Sequence, residues 1–184
     1  LWWLGTMTPR ACPGVYDGLR SGTPPASYFS RDYHHARDSF LKAAVAADGA
    51  IESIPHPVAG PDGQRVYMDI AYFFDPNAKN VIVISSGTHG FEGFAGSGIQ
   101  TGILSEDFTD NLRQTTAVMM IHGVNPYGLA HLRRFAENNI DPTRNFVNHG
   151  RPYPRNREYE TLADVIAPSS LSIWAESLAW SRLF

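Results

Sequence analysis

A single cysteine, Cys12, stands among 184 residues. No intrachain disulfide can form, and a reducing compartment, the cytoplasm, is the expected location. No apolar run approaches the ~20 residues of a membrane span. Leu1-Trp2-Trp3-Leu4 is apolar but short, with no basic region before it, and does not read as a signal peptide. Positive charge is not in excess either: 15 Lys and Arg face 18 Asp and Glu, a net −3 with the signs interspersed. That leaves no basic footprint for nucleic acid and no polybasic patch for a membrane surface. Internal repeats and low-complexity tracts are missing as well. What remains, 43% apolar and 12% aromatic residues, suits one globular domain or part of a larger one.

Residues 1–26 mix Pro9, Pro13, Pro24 and Pro25 with four glycines and keep no period of 2 or 3.6, so an irregular arm is expected there, with Cys12 a bystander in it. Ser30 to Ala47 reads as a helix capped by Ser30, with Phe40, Leu41, Ala44 and Val45 on one stripe. His34 and His35 diverge by about 100° around it and cannot chelate one metal as a pair. Residues 50–58 and 65–74 read as an antiparallel hairpin about the Pro61-Asp62-Gly63 turn. In the second of these strands Val66, Met68, Ile70, Tyr72 and Phe74 share a face; His56 is expected on the rim.

Val81 to Ile84 is a continuous apolar run, as in a central strand buried on both faces. A turn, Gly87-Thr88-His89-Gly90-Phe91-Glu92-Gly93, follows it, then a helix from Phe94 to Leu104 and a second strand from Thr115 to His122. Strand, helix, strand implies a parallel pair with a right-handed crossover. Leu129 to Glu137 reads as a short helix carrying Arg133 and Arg134, Asn138 to Pro154 as an ordered polar loop, and Glu158–Ile166 and Leu171–Phe184 as two more helices.

Ligands in open α/β sheets sit beyond the carboxyl ends of the strands, where the Gly87–Gly93 turn lies. Catalytic zinc takes three protein ligands and leaves one position open. His89 and Glu92, three apart between glycines, can fold toward one point and are read as two of those ligands. Other motifs fail on details: Gly96-Ser97-Gly98 is followed by Thr101, and neither Gly-x-Ser-x-Gly nor His-Glu-x-x-His occurs. The His-Gly pair after a strand also suits the oxyanion loop of an α/β-hydrolase. The next parallel strand delivers Asn125-Pro126-Tyr127-Gly128, Arg133-Arg134 and Asp141-Pro142-Thr143-Arg144-Asn145-Phe146 to the same sheet edge. Guanidinium groups there could stabilise a tetrahedral oxyanion or grip a carboxylate. Alternatively, Arg133 and Arg134 mark a solvated helix face and Arg144-Asn145 a surface network.

Together these residues resemble the zinc carboxypeptidase superfamily of the carboxypeptidase A type, and more closely its bacterial branch known as domain of unknown function 2817. That branch has Ser-Gly-x-His-Gly-x-Glu-Gly-Phe-Ala-Gly-Ser, matched from Ser86 to Ser97, Asn-Pro-Tyr-Gly, matched at 125–128, and Glu-x-Asn-x-Asp-x-x-Arg-Asn-Phe, matched at 137–146. The resemblance implies an α/β fold, a three-layer α/β/α sandwich with a mixed, largely parallel sheet, incomplete at the C-terminus; residues 27–184 would be the amino-terminal part of the catalytic domain. By resemblance His89 and Glu92 bind Zn2+, Arg134 polarises the scissile carbonyl as the catalytic residue, and Arg144, Asn145 and Thr143 meet the substrate. Thr143 stands where the superfamily has asparagine, and Tyr127 where it has aspartate. The third ligand, a histidine, and the general-base glutamate are expected beyond Phe184, so this fragment alone is expected to be inactive.

The implied activity is zinc-dependent hydrolysis of a peptide or amide bond in a small peptide. Two alternatives are an N-acyl amino acid deacylase of the aspartoacylase type and a non-catalytic binding domain that keeps the fold. Neither nucleic acid nor a membrane is an expected partner.

Overall fold

A computed structural model describes residues 22–74, 77–106 and 115–166, together with Ser172, Ser177 and Ser181. The arm up to residue 21, with Cys12, and most of the helix expected at the C-terminus lie outside the described residues. The chain divides into two compact units, Leu1–Asn145 and Phe146–Phe184.

In the first unit a 3-10 turn, Pro25–Tyr28, precedes helix α1, Tyr33–Ala46. Asp32, not Ser30, is the cap: its Oδ1 accepts the His35 amide at 2.8 Å, satisfying a donor the helix cannot. The buried stripe is Tyr33, Ala36, Phe40 and Ala44; Val45 points to solvent. Strands β1 (Ala50–Pro55), β2 (Tyr67–Phe73), β3 (Asn80–Ser85) and β4 (Thr116–His122) form a sheet of order β1-β2-β4-β3. β1 and β2 pair antiparallel, as do β2 and β4, and β3 pairs parallel with β4. The sheet is therefore mixed, with the hairpin at one rim and the crossover pair at the other. Helix α2, Gly93–Ser105, makes the crossover.

The core joins Phe40 and Ala44 of α1, Leu104 of α2, Ala71 and Phe73 of β2, and Val118 and Met120 of β4. Both helices thus lie on one sheet face, giving two layers of the expected sandwich. Burying a side chain such as Phe40 contributes about 1.5–3 kcal/mol. Two details differ from what the strand patterns imply. Phe73 faces the core and Phe74 is exposed, because the helices cover the Asp69–Ala71–Phe73 face. β3, read as central, is the end strand among the described residues, with Val81 64% and Val83 57% exposed. An unbroken apolar run marks a strand built to be covered on both faces; among the described residues Val81, Ile82 and Val83 are exposed and only Ile84 is partly buried.

Polar ties fix α1 to the hairpin. The Tyr33 hydroxyl accepts the Tyr67 amide at 2.6 Å and donates to its carbonyl at 3.2 Å; burial raises its pKa to about 12. Arg37 grips Asp69 with two bonds of 2.7 and 2.9 Å, and Ser53 donates to the same carboxylate. A fully buried carboxylate such as Asp69 needs partners of this kind.

In the first unit a short helix, α3, spans Pro126–Ala130; in the second unit helix α4 spans Arg157–Ile166. Asn156 accepts the Tyr159 amide at 3.0 Å at its start.

Candidate metal centre

The parallel pair ends in two glycines of left-handed backbone, Gly87 (φ 70°) and Gly123 (φ 66°). A β-carbon on Gly87 would lie 3.1 Å from Gly123 Cα, so the two loops cross with no room for side chains. Past the crossing the loops zip together. Val124 N donates to Ser86 O at 3.0 Å, Asn125 N to Gly87 O at 2.8 Å, Gly90 N to Arg134 O at 3.1 Å and Phe91 N to Arg133 O at 3.2 Å. Gly90 sits so close to the second loop that a β-carbon there would meet Gly128 C at 2.1 Å.

The second loop holds its shape through Asn125, which is buried and caps helix α3, Pro126–Ala130, by accepting the Gly128 amide at 2.8 Å. The helix expected to reach Glu137 stops here. Leu132 takes a left-handed φ of 53°, which turns the chain so that the carbonyls of Arg133 and Arg134 meet the amides of Phe91 and Gly90. Arg133 and Arg134 therefore lie on an irregular segment pressed against the Gly87–Gly93 turn, not on a helix face. On the outer side Tyr127 stacks on His131, and His56 pairs with Glu137 at 3.4 Å, a rim position as expected.

His89 and Glu92 come together. His89 Nδ1 lies 3.5 Å from Glu92 Oε2. Two ligands at ~2.0–2.2 Å from a tetrahedral zinc are about 3.3–3.6 Å apart, so the spacing fits a metal held between them. Glu92 stands at the N-cap of α2 without capping it, and its other oxygen, Oε1, accepts Arg134 Nη1 at 2.5 Å. Behind His89, Nε2 meets Asp141 Oδ1 at 3.0 Å. Asp141 Oδ1 also accepts the Thr143 hydroxyl at 2.6 Å and its amide at 2.9 Å. The Thr143 hydroxyl, with help from the amide and His89, lowers the Asp141 pKa to about 2, so the carboxylate is ionised at neutral pH. In the His89 tautomer that donates from Nε2 to the ionised Asp141, the Nδ1 lone pair faces Glu92. A cation between those two atoms suits that tautomer, and a carboxylate behind a ligating histidine is the usual support for one.

The residues singled out in the sequence thus separate into two groups. His89, Glu92, Arg134 and Thr143 gather within one hydrogen-bonded cluster; the hydroxyl of Thr143 is committed to Asp141. Arg144 and Asn145, at the end of the 3-10 turn Pro142–Arg144, are exposed. Asp141, named in the sequence only as part of the 141–146 motif, caps its own 3-10 turn and also meets His89 across 52 positions, a contact that nothing local announces. Among the described residues no group of three His, Cys, Asp or Glu side chains could hold a metal ion.

Residues 29–179 match the family model described as "Protein of unknown function (DUF2817)". The chain belongs to the DUF2817 family. No curated protein matches this DUF2817 chain. Solved structures that resemble it include the glutaminyl cyclase of Fimbriiglobus ruber, 10% identical with a TM-score of 0.37 over 53% of this chain and 41% of that one. The glutaminyl cyclase of Porphyromonas gingivalis is 11% identical with a TM-score of 0.37, over 53% and 40%. A Zn-dependent exopeptidase from Parabacteroides distasonis is 13% identical with a TM-score of 0.37, over 79% and 53%. The DUF2817 chain spans 40–53% of the length of these three structures. Among its described residues no helix is long and apolar enough to cross a membrane.

Proposed function

We propose that this chain carries part of the active site of a zinc-dependent hydrolase of peptide or amide bonds, of the metallocarboxypeptidase kind. The observation that supports it best is the 3.5 Å separation of His89 Nδ1 and Glu92 Oε2 with Asp141 behind the imidazole. A zinc ion bound there supplies Lewis acidity and a water of lowered pKa. The chain's own residues supply the other roles. Asp141 holds the His89 ring in the tautomer that offers Nδ1. Arg134, hydrogen-bonded to Glu92, is placed to stabilise negative charge developing on a carbonyl oxygen. Arg144, with Asn145 beside it, is free to reach a substrate carboxylate. The third ligand and the general base come from elsewhere in the whole protein, and the substrate is a small peptide.

The test is the zinc content of the whole protein after dialysis against trace metal, with and without His89→Ala. One zinc per chain is expected in the parent and none in the variant. Equal zinc in both would sink the assignment.

A further inference from the structure

Directly beneath the crossing of Gly87 and Gly123 lies a buried polar hub that the site chemistry does not use. Gln100, on α2, is 1% exposed. Its Nε2 donates to Ile84 O of β3 at 3.0 Å and to Ile121 O of β4 at 3.1 Å. Its Oε1 accepts the Ser86 hydroxyl at 2.8 Å, and Ser86 Oγ in turn accepts the Gly123 amide at 3.4 Å. The opposite amide orientation would set Oε1 against two carbonyls, so the network fixes it. Ile121 O is already an acceptor in the sheet, for Ser86 N at 2.9 Å; the amide uses its second lone pair. α2 reaches this depth because Gly96 carries no side chain: a β-carbon there would meet Ser86 Cβ at 2.7 Å.

One side chain therefore grips the ends of both parallel strands from the helix that begins at Glu92. β3 leads into the loop of His89, and β4 into the loop of Arg134 and Asp141. No side chain can stand between the loops where they cross, so their separation depends on what holds the strand ends below.

We propose that Gln100, through Ser86 and the carbonyls of Ile84 and Ile121, is a positioning residue that sets the distance between the His89–Glu92 loop and the Arg134–Asp141 loop. The inference rests on the metal-site reading above in its functional part, and not in its structural part. A buried polar network that is fully satisfied specifies one arrangement, whereas an apolar side chain of the same size fills the space without choosing a register.

The test compares the whole protein as parent with its Gln100→Met and Leu104→Ala variants. The last removes core volume from the same helix, one turn on, without touching the strand ends. Zinc affinity is measured by competition with a chromogenic chelator, with the absorption spectrum of the Co2+ form as a report on ligand geometry. Gln100→Met is expected to weaken zinc binding at least about tenfold and to alter the Co2+ spectrum, because ligand placement within about 0.5 Å matters. Leu104→Ala is expected to lower Tm while leaving both within twofold. Gln100→Met with parental affinity and spectrum, or Leu104→Ala with the same loss, overturns the proposal. Backbone hydrogen exchange at Gly90, Phe91, Val124 and Asn125 separates this inference from the metal reading. If the parent takes up neither ion, the metal reading fails. The positioning role then stands if Gln100→Met speeds exchange at those four amides at least about tenfold more than Leu104→Ala does, and falls if the two variants exchange alike.

Discussion

Asp141 Oδ1 and His89 Nε2 meet at 3.0 Å across 52 positions of sequence. The contact favours one tautomer of the imidazole: with Nε2–H donating to an ionised carboxylate, the Nδ1 lone pair is directed at Glu92. Asp141→Asn keeps the shape and removes the charge. Metal affinity is expected to fall about 10- to 100-fold, read by chelator competition at pH 7. An unchanged affinity would show that the carboxylate serves only as the cap of its own turn.

Arg134 is joined to Glu92 through Nη1 and Oε1. Replacing it with Met is expected to leave metal stoichiometry at one and to cut kcat on a peptide substrate about 10²- to 10³-fold, the loss seen when one oxyanion donor is removed. Steady-state kinetics on the whole protein give the answer; a change confined to KM would assign the arginine to binding instead.

His122 is expected to contribute to the acid limb of the stability curve. It is fully buried, stacked on Phe40 with 4.7 Å between ring centroids, and its Nε2 meets Ser97 Oγ at 2.9 Å while Nδ1 has no hydrogen-bond partner among the described residues. Burial lowers its pKa from 6.5 to about 4. The unfolded chain takes up a proton below pH 6.5 and the native chain does not until about pH 4. Stability is therefore unaffected by this group above pH 6.5, falls as pH drops through the window from 6.5 to 4, and levels below it. The loss is on the order of 3 kcal/mol at ~1.4 kcal/mol per pKa unit. His122→Gln is expected to flatten urea midpoints across that window; a slope identical to the parent's would place the acid sensitivity in other groups.

Gly90→Ala tests the fit of the two loops. With a β-carbon 2.1 Å from Gly128 C and 2.3 Å from Arg133 O, backbone must move. A loss of about 3 kcal/mol is expected, at the upper end of overpacking costs, measured by urea unfolding. Parental stability would mean that the loops part easily.

Much of this was legible because it is local. The hairpin, the parallel pair and the crossover helix follow from alternation, apolar runs and glycine-flanked turns, each set within a few residues. The Gly87–Gly93 turn marked His89 and Glu92 as candidate ligands by residue type and spacing, and the fold brings the two side chains to 3.5 Å. What escaped is set by contacts distant in sequence. Leu129 to Glu137 carries helical spacing, yet the amides of Gly90 and Phe91 recruit two of its carbonyls and Leu132 turns the chain. Phe73 and Phe74 are equally apolar, and only the packing of α1 and α2 selects which is buried. Asp141 looks like any cap until the fold brings His89 to its other side.

The crossing of Gly87 and Gly123 has a consequence for how this chain tolerates change. The two loops share a single steric constraint, so a substitution in one alters what the other can accept. Paired substitutions across the crossing should depart from additivity, while pairs spread elsewhere over the sheet should sum.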